Sequence, residues 1–416
     1  MPVPYNDWLA TLTRKADLRS RAGLSRSAVP RATAIDLAGN DYLGLSQHPL
    51  VLSAAASALT SYGLGATGSR LVRGTTSLHA HLEEALALFM GTQSALVYSS
   101  GYLANLGAIR ALAALSPRTL LISDAHCHAS MIDGCRLAGA EVAVFKHGDV
   151  SHAASLIEPG RPSVILTESV FSVDGDLAPL AALHAVARQA GALLFVDDAH
   201  GLGVGPFLSG LAGEPDVIVT ATLSKSLGGA GGVVGGPPEF IRHLIDTSRT
   251  FIFDTAPPPA VMAGVLAALD ITRSADDLRA ELHRRATAIA ALPGSLTPRY
   301  PASVPHSASA GEGDGAFARP PASLSGDRVS VEGADLAGDE GRAPAGGVVS
   351  LAAPSAAEAV EWAQRCRDKG VAVGCFRPPS TPDNRSRLRL TVNVGVPLDD
   401  FEHALEVIEQ CRPSAE

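Results

Sequence analysis

The chain has 416 residues, enough for roughly two or three domains, and 46% of them are apolar, so a large core can form. Its net charge of −9 comes without a basic patch, which speaks against a nucleic-acid partner. The cysteines Cys127, Cys135, Cys366, Cys375 and Cys411 are odd in number, irregularly spaced and without a CxxC pair. That pattern argues against a disulfide framework or a metal site and for a reducing cytoplasm.

Residues 1–45 read as a charged helical opening and then a short strand, Ile35-Asp36-Leu37. Asp7, Arg14, Lys15, Asp17 and Arg19 leave no apolar signal-peptide core, and no apolar run approaches the roughly 18–20 residues of a membrane helix. From about Ser94 the pattern alternates. Strands are expected at 95–98, 119–123, 141–145, 163–167, 192–196, 217–220 and 232–234. Helices are expected at 101–115, 129–138 and 177–190. Apolar strands alternating with helices imply an α/β fold with a mostly parallel sheet covered on both faces. After about residue 260 one long Ala/Leu/Arg helix runs to about Ala291. A second module follows, with a helix at 356–369 and a strand at 387–394. Between them, residues 307–346 are rich in Gly, Ala, Pro, Ser and Asp and read as a flexible surface insertion.

Lysine is scarce: Lys15, Lys146, Lys225 and Lys369 are four of 33 basic residues. An amine that sheds its proton and attacks a carbonyl must be Lys, because Arg stays charged. Lys225 lies in Thr222-Leu223-Ser224-Lys225-Ser226-Leu227-Gly228-Gly229, where small neighbours would leave room for a bulky cofactor on the amine. Asp197 ends an apolar strand, where a carboxylate is costly unless paired or well hydrogen-bonded. Its neighbour Asp198 reads as a turn or cap. His200 and His128 also follow predicted strands, although a lone His is more often structural. In open α/β sheets ligands sit beyond the carboxyl ends of the strands, which is where Asp197, His200, Glu168 and Ser172 would fall.

Ser99-Ser100-Gly101-Tyr102 stands between a strand and a helix, and a helix N-terminus suits a phosphate. Gly201-Leu202-Gly203-Val204-Gly205 lacks the dinucleotide-loop spacing. In Ser386-Arg387-Leu388-Arg389-Leu390-Thr391 both arginines share a strand face. Either could hold an amino-acid carboxylate with two bonds, or make a cross-strand ion pair.

Together these motifs resemble the α-oxoamine synthases, pyridoxal-phosphate (PLP) enzymes of the aspartate-aminotransferase fold (fold type I). The likeness runs from Asn40-Asp41-Tyr42-Leu43-Gly44-Leu45 to the Arg389 strand. It includes the 65–75 segment, Ser100-Gly101-Tyr102-x-Ala104-Asn105, His128-Ala129-Ser130, Glu168-Ser169-Val170-Phe171-Ser172-x-Asp174-Gly175-Asp176, Asp197-x-Ala199-His200-Gly201 and Thr222-x-x-Lys225.

The resemblance implies an N-terminal segment over 1–45, a large PLP-binding domain over 46–260 and a smaller α+β domain over 261–416. It implies that Lys225 is the Schiff-base lysine and later acid/base. Asp197 would be the pyridine-nitrogen partner and His128 the ring-stacking histidine. His200 and Ser172 would lie near the phenolic oxygen. Gly101, Tyr102 and Thr222 would contact cofactor and phosphate, and Thr255 would reach a phosphate across a homodimer with shared active sites. Arg19 would lie near the acyl substrate, and Asn40, Arg389 and Thr391 would contact substrate, Arg389 through its carboxylate. The 65–75 and 374–379 segments lean toward members joining L-alanine to a pimeloyl thioester, on CoA or acyl carrier protein. Members acting on glycine share the same core residues, and aminotransferases share the fold and the lysine. Cys127, Asp198 and the 307–346 stretch depart from the family pattern.

Overall fold

The computed structural model describes residues 5–22, 24–26, 28, 30, 34–301, 342–378, 380–381 and 383–414. In chain order its strands are β1 (Ile35–Leu37), β2 (Ser94–Tyr98), β3 (Leu120–Asp124), β4 (Glu141–Phe145), β5 (Ser163–Glu168), β6 (Leu193–Asp197), β7 (Val217–Thr222) and β8 (Gly232–Gly236). The later strands are β9 (Tyr300–Pro301), β10 (Arg342–Ala343), β11 (Val348–Ala352), β12 (Val371–Phe376) and β13 (Arg387–Thr391).

Seven strands form the central sheet in the order β2-β8-β7-β6-β5-β3-β4. All run parallel except β8, which is antiparallel to both of its neighbours. The strands are apolar on both faces because helices cover both. On one face the helix Gly101–Ala113 sets Ala104, Ala108, Ile109 and Leu112 against Leu121, Leu166 and Phe195. On the other, Leu183 and Ala187 of the helix Leu180–Ala190 meet Ile122, Ile165, Leu194 and Val196. Each such Leu, Ile, Val or Phe contributes about 1.5–3 kcal/mol through burial. The register sets Glu168 beside Asp197 and Asp197 beside Thr220, so the polar strand ends align at one edge of the core.

A second sheet, β1-β12-β13-β11, packs under the helices Ala356–Asp368 and Leu398–Gln410. Trp362 is fully buried there and donates its indole N–H to the Ile408 carbonyl at 2.9 Å. One apolar cluster joins the two sheets, running from Val97 and Val233 through Leu37 and Met262 to Val349, Trp362 and Leu388.

Several boundaries differ from expectation. The single helix over 260–291 is two helices, Pro259–Arg273 and Asp276–Ala290. Ser274 and Ala275 leave helical geometry, and Asp276 and Asp277 suit the positive end of a new helix. Arg279 reaches back to the Thr272 carbonyl at the break and also binds the Gly203 carbonyl of the loop after β6. The helix expected from 177 starts at Leu180, because Leu177 N–H is taken by the Tyr300 hydroxyl and Pro179 occupies the cap. The strand expected over 387–394 ends at Thr391. Strands β11 and β12 were not expected from the sequence pattern. The 307–346 stretch lies outside the described residues, apart from 342–346.

Candidate active site

Strands β5, β6 and β7 end together, and the chain beyond β7 turns to bring Lys225 over their carboxyl ends. The cavity there is about 150 Å³ and is lined by Gly101, Tyr102, Asn105, His128, Ser130, Glu168, Asp197, Ala199, His200, Thr222, Ser224 and Lys225. All four residues expected to be catalytic, Lys225, Asp197, His128 and His200, line it.

Removal from bulk water lowers the Lys225 amine to about 8, although Asp197 opposes the shift. Burial and the positive charge of Lys225 push His200 well below the ordinary imidazole range, so it is neutral. Lys225 Nζ lies 2.7 Å from His200 Nε2, and His200 Nδ1 lies 2.6 Å from the Tyr42 hydroxyl. A neutral imidazole accepting at Nε2 carries its proton on Nδ1 and gives it to the Tyr42 oxygen. Tyr42 O–H is then free to point at Asn40 Oδ1, 3.3 Å away, which also accepts from Arg389 Nη2 at 3.1 Å. One hydrogen-bond chain therefore connects the amine to Arg389. Tyr42 is fully buried, and burial pushes its hydroxyl up to about 12, so it stays protonated.

Asp197 is held by a second network. Its Oδ1 accepts from Ala199 N–H at 3.0 Å and its Oδ2 from Asn105 Nδ2 at 2.7 Å. The same Asn105 amide donates to Ser130 Oγ at 2.8 Å, and Ser130 Oγ lies 2.7 Å from His128 Nδ1. Thr220 fixes the amide orientation by donating to Asn105 Oδ1 at 2.6 Å. Asn105 thus sets the carboxylate and, through Ser130, the His128 ring. Tyr42, Asn105 and Ser130 were not picked out as site residues from the sequence. Asn105 and Ser130 fall inside the quoted motifs, but a polar residue within a helix announces no partner 92 positions away.

Glu168 ends β5, is 2% exposed, and its Oε1 has no hydrogen-bond partner. Burial first, and then the neighbouring Asp197, push its carboxyl well above the usual range. Asp198 is also buried, which raises it to about 7, and it accepts from Ser169 Oγ. It closes the turn after β6, in keeping with its reading as a turn residue.

Ser100 caps the helix Gly101–Ala113 and accepts from Leu103 N–H at 3.2 Å. Gly101 and Tyr102 head that helix, so their N–H groups stand outside the intrahelical ladder. A Cβ at Gly101 would stand 3.0 Å from the Thr222 Cβ, so glycine lets the helix start this close to β7 without displacing Thr222. The glycines after Lys225 have a different use from the one expected. Gly228, at φ +63°, packs against the Ser46 backbone and Gly229 against Val265. They permit close chain packing on the side of Ser46 and Val265 and do not widen the cavity.

The two arginines of β13 separate cleanly. Arg387 is fully buried and ion-paired with Asp174 and Asp383. Arg389 is held by neutral acceptors, the Ser172 carbonyl at 2.6 Å and Asn40 Oδ1, and makes no ion pair among the described residues. Phe376 of the 374–379 segment lies under its guanidinium, 5.3 Å from ring centre to Cζ. Thr391 is fully buried and donates to the Gly39 carbonyl. Ser172, Thr255 and Arg19 do not line the cavity. Thr255 is exposed, bridged to Ser69, and Arg19 is exposed on the helix Tyr5–Arg21.

The residues suit PLP. A lysine of lowered proton affinity, a buried acid with a lone pair left on each oxygen, a helix N-terminus and an unpartnered buried acceptor surround one cavity.

Residues 32–293 match the family described as aminotransferase class I and II. The protein named 8-amino-7-oxononanoate synthase in Mycolicibacterium gilvum is 43% identical over 416 residues, covering 98% of this chain and 96% of its own. Its namesake in Mycobacterium sp. (strain JLS) is 44% identical over 412 residues, covering 96% of each. This chain belongs to the 8-amino-7-oxononanoate synthase branch of the α-oxoamine synthases. Serine palmitoyltransferase from Sphingomonas wittichii superposes with a TM-score of 0.78 at 26% identity over 98% of both chains. The structure of 8-amino-7-oxononanoate synthase from Francisella tularensis superposes with a TM-score of 0.66 at 24% identity, over 91% of this chain and 97% of that one, and shows the shared fold. The branch adopts fold type I, and the parallel sheet and smaller second sheet follow that plan.

Proposed function

We propose that the chain uses PLP to condense L-alanine with a pimeloyl thioester, giving 8-amino-7-oxononanoate, carbon dioxide and the free thiol in biotin biosynthesis. The observation that carries this reading is near-full-length identity of 43% to enzymes of that name, in a chain whose own cavity joins Lys225, Asp197, His128 and His200.

Bound PLP supplies a protonated ring that spreads the charge left when a bond to the substrate α-carbon breaks. In our reading Asp197 holds that ring nitrogen protonated, and Asn105 keeps the carboxylate aimed. His128, held by Ser130, would stack on the ring. Gly101, Tyr102 and Thr222 would hold the phosphate, and His200, with Ser172 from outside the present cavity lining, would lie beside the phenolic oxygen. Arg389 grips the alanine carboxylate with Asn40 beside it, and Thr391 supports the backbone under Asn40. With its proton affinity lowered to about 8, Lys225 is substantially neutral at mildly alkaline pH, so it can take the α-proton and return it later. His200, neutral and with a protonated partner in Tyr42, can turn Nε2 from acceptor to donor. It would then hydrogen-bond to the thioester-derived carbonyl. Arg19 would lie near the acyl chain.

A second copy of this chain would supply Thr255 to the site. Leu71, Val72 and Phe253, on the same side as Thr255, are 52%, 85% and 68% exposed, which suits a subunit contact. Arg70 anchors that side from beneath, reaching Glu83, the Val97 carbonyl and the Thr75 hydroxyl.

A paired-substrate assay tests the reading. Alanine with pimeloyl-CoA should give kcat/KM at least about a hundred-fold above glycine with acetyl-CoA. Equal or reversed rates would place the chain with glycine-using relatives instead.

A further inference from the structure

Away from the cavity, His147 sits between two carboxylates. Its Nδ1 lies 2.9 Å from Asp124 Oδ1 and its Nε2 lies 2.7 Å from Asp176 Oδ2. Both ring nitrogens face acceptors only, so both must carry protons, and His147 is an imidazolium. The His126 ring stacks on it at 3.7 Å, and the Phe171 ring meets it edge-on at 4.4 Å.

Asp176 belongs to the 169–178 loop, which leaves β5 and carries Ser172. The loop is closed on itself by Phe171 N–H to Asp176 O at 2.9 Å, Gly175 N–H to Phe171 O at 3.0 Å and Ala178 N–H to Ser169 O at 3.2 Å. On its far side it meets the second sheet. Arg387 pairs with Asp174, Ser350 Oγ donates to Val173 O at 2.6 Å, and Arg389 Nε donates to Ser172 O at 2.6 Å. Asp124 ends β3 and accepts from Gly148 and His126 N–H groups, so it is fixed to the central sheet. The loop is therefore strapped between the sheets: Ser169 holds its start to the end of β6, through N–H to Asp197 O at 2.9 Å and Oγ to Asp198, and His147 ties its Asp176 end to the large sheet.

We propose that His147, bridging Asp124 and Asp176 as an imidazolium, is a positioning residue that pins the 169–178 loop and through Ser172 O sets the Arg389 guanidinium for the substrate carboxylate. The part that concerns alanine rests on the proposed function; the pin itself does not. Burial alone would lower His147, but hydrogen bonds to Asp124 and Asp176 outweigh it and raise it to about 9. The groups facing it are Asp124, Asp176 and the His126 ring, which burial and His147 keep low, with Asp174 acting on His126 from the same loop. Above about pH 9 the neutral ring can donate to one carboxylate only, and the tie is cut on one side.

The test compares wild type with His147→Gln, and with Asp176→Asn should the first variant not fold. Amide exchange at Phe171, Gly175 and Leu177 in the cofactor-free protein should speed up by about ten-fold. The KM for alanine should rise about ten-fold with kcat within about two-fold. Wild-type KM should climb above about pH 9, and this climb should be absent in His147→Gln. Unchanged exchange in the loop, or a fall in kcat without a change in KM, overturns the proposal. Should wild type not turn over alanine at all, the function fails and the exchange measurement still decides the pin.

Discussion

At the scale of single residues, the site works by making groups do what water would not allow. A lysine withdrawn from water into the cavity loses proton affinity, and the sign of the cost follows directly. The folded value is about 8 against 10.5 when unfolded. Below about pH 8 the amine is charged in both states and folding bears the whole desolvation cost, of the order of 3 kcal/mol at most. The cost shrinks between about 8 and 10.5 and vanishes above. Lys225→Met should therefore stabilise the cofactor-free protein in urea unfolding at pH 7, and the gain should disappear by about pH 10.5. A gain that is equal at both pH values would show that packing, not charge burial, sets it. Asn105 illustrates the complementary tactic, since one amide orients two groups on different elements, Asp197 and Ser130.

At the scale of elements, β13 shows how alternation divides labour. Arg387 and Arg389 share a face, yet one is spent on Asp174 and Asp383 and the other is left for a ligand. Removing one side of a buried ion pair typically costs about 3–5 kcal/mol. Arg387→Ala should thus destabilise by about 3 kcal/mol in denaturant unfolding. Arg389→Ala should cost far less stability and raise the KM for alanine by more than about ten-fold. The reverse assignment would appear as a KM effect confined to Arg387→Ala. The residues alone do not make this division legible, since either arginine suits either role, and only the family resemblance points to Arg389. Their partners sit 213 and 217 positions away in the loop that both of them touch. Strand ends and Lys225 were legible, because apolar runs and a scarce residue type are local signals. The helix break at Ser274 was missed although Ser-Ala-Asp-Asp carries a stop and a start. The apolar periodicity on either side masked it. Strands β11 and β12 are not legible because runs of five or six mostly apolar residues suit a buried helix turn as well.

At the scale of the whole molecule, one sheet presents Glu168, Asp197 and Lys225, and the other presents Arg389. The cavity thus lies under the central sheet's strand ends, with the second sheet's arginine linked to it through Asn40, Tyr42 and His200. We propose that the division near residue 260 matters functionally for this reason, since residues from both parts would face the substrate. No helix among the described residues is long and apolar enough to cross a membrane. Alanine labelled at its carboxyl carbon, incubated with a pimeloyl thioester and the PLP-loaded protein, tests the central claim most directly. Labelled carbon dioxide and an unlabelled amino ketone with the mass of 8-amino-7-oxononanoate are expected. Label retained in the product, or recovered in pyruvate with no carbon dioxide, would contradict it.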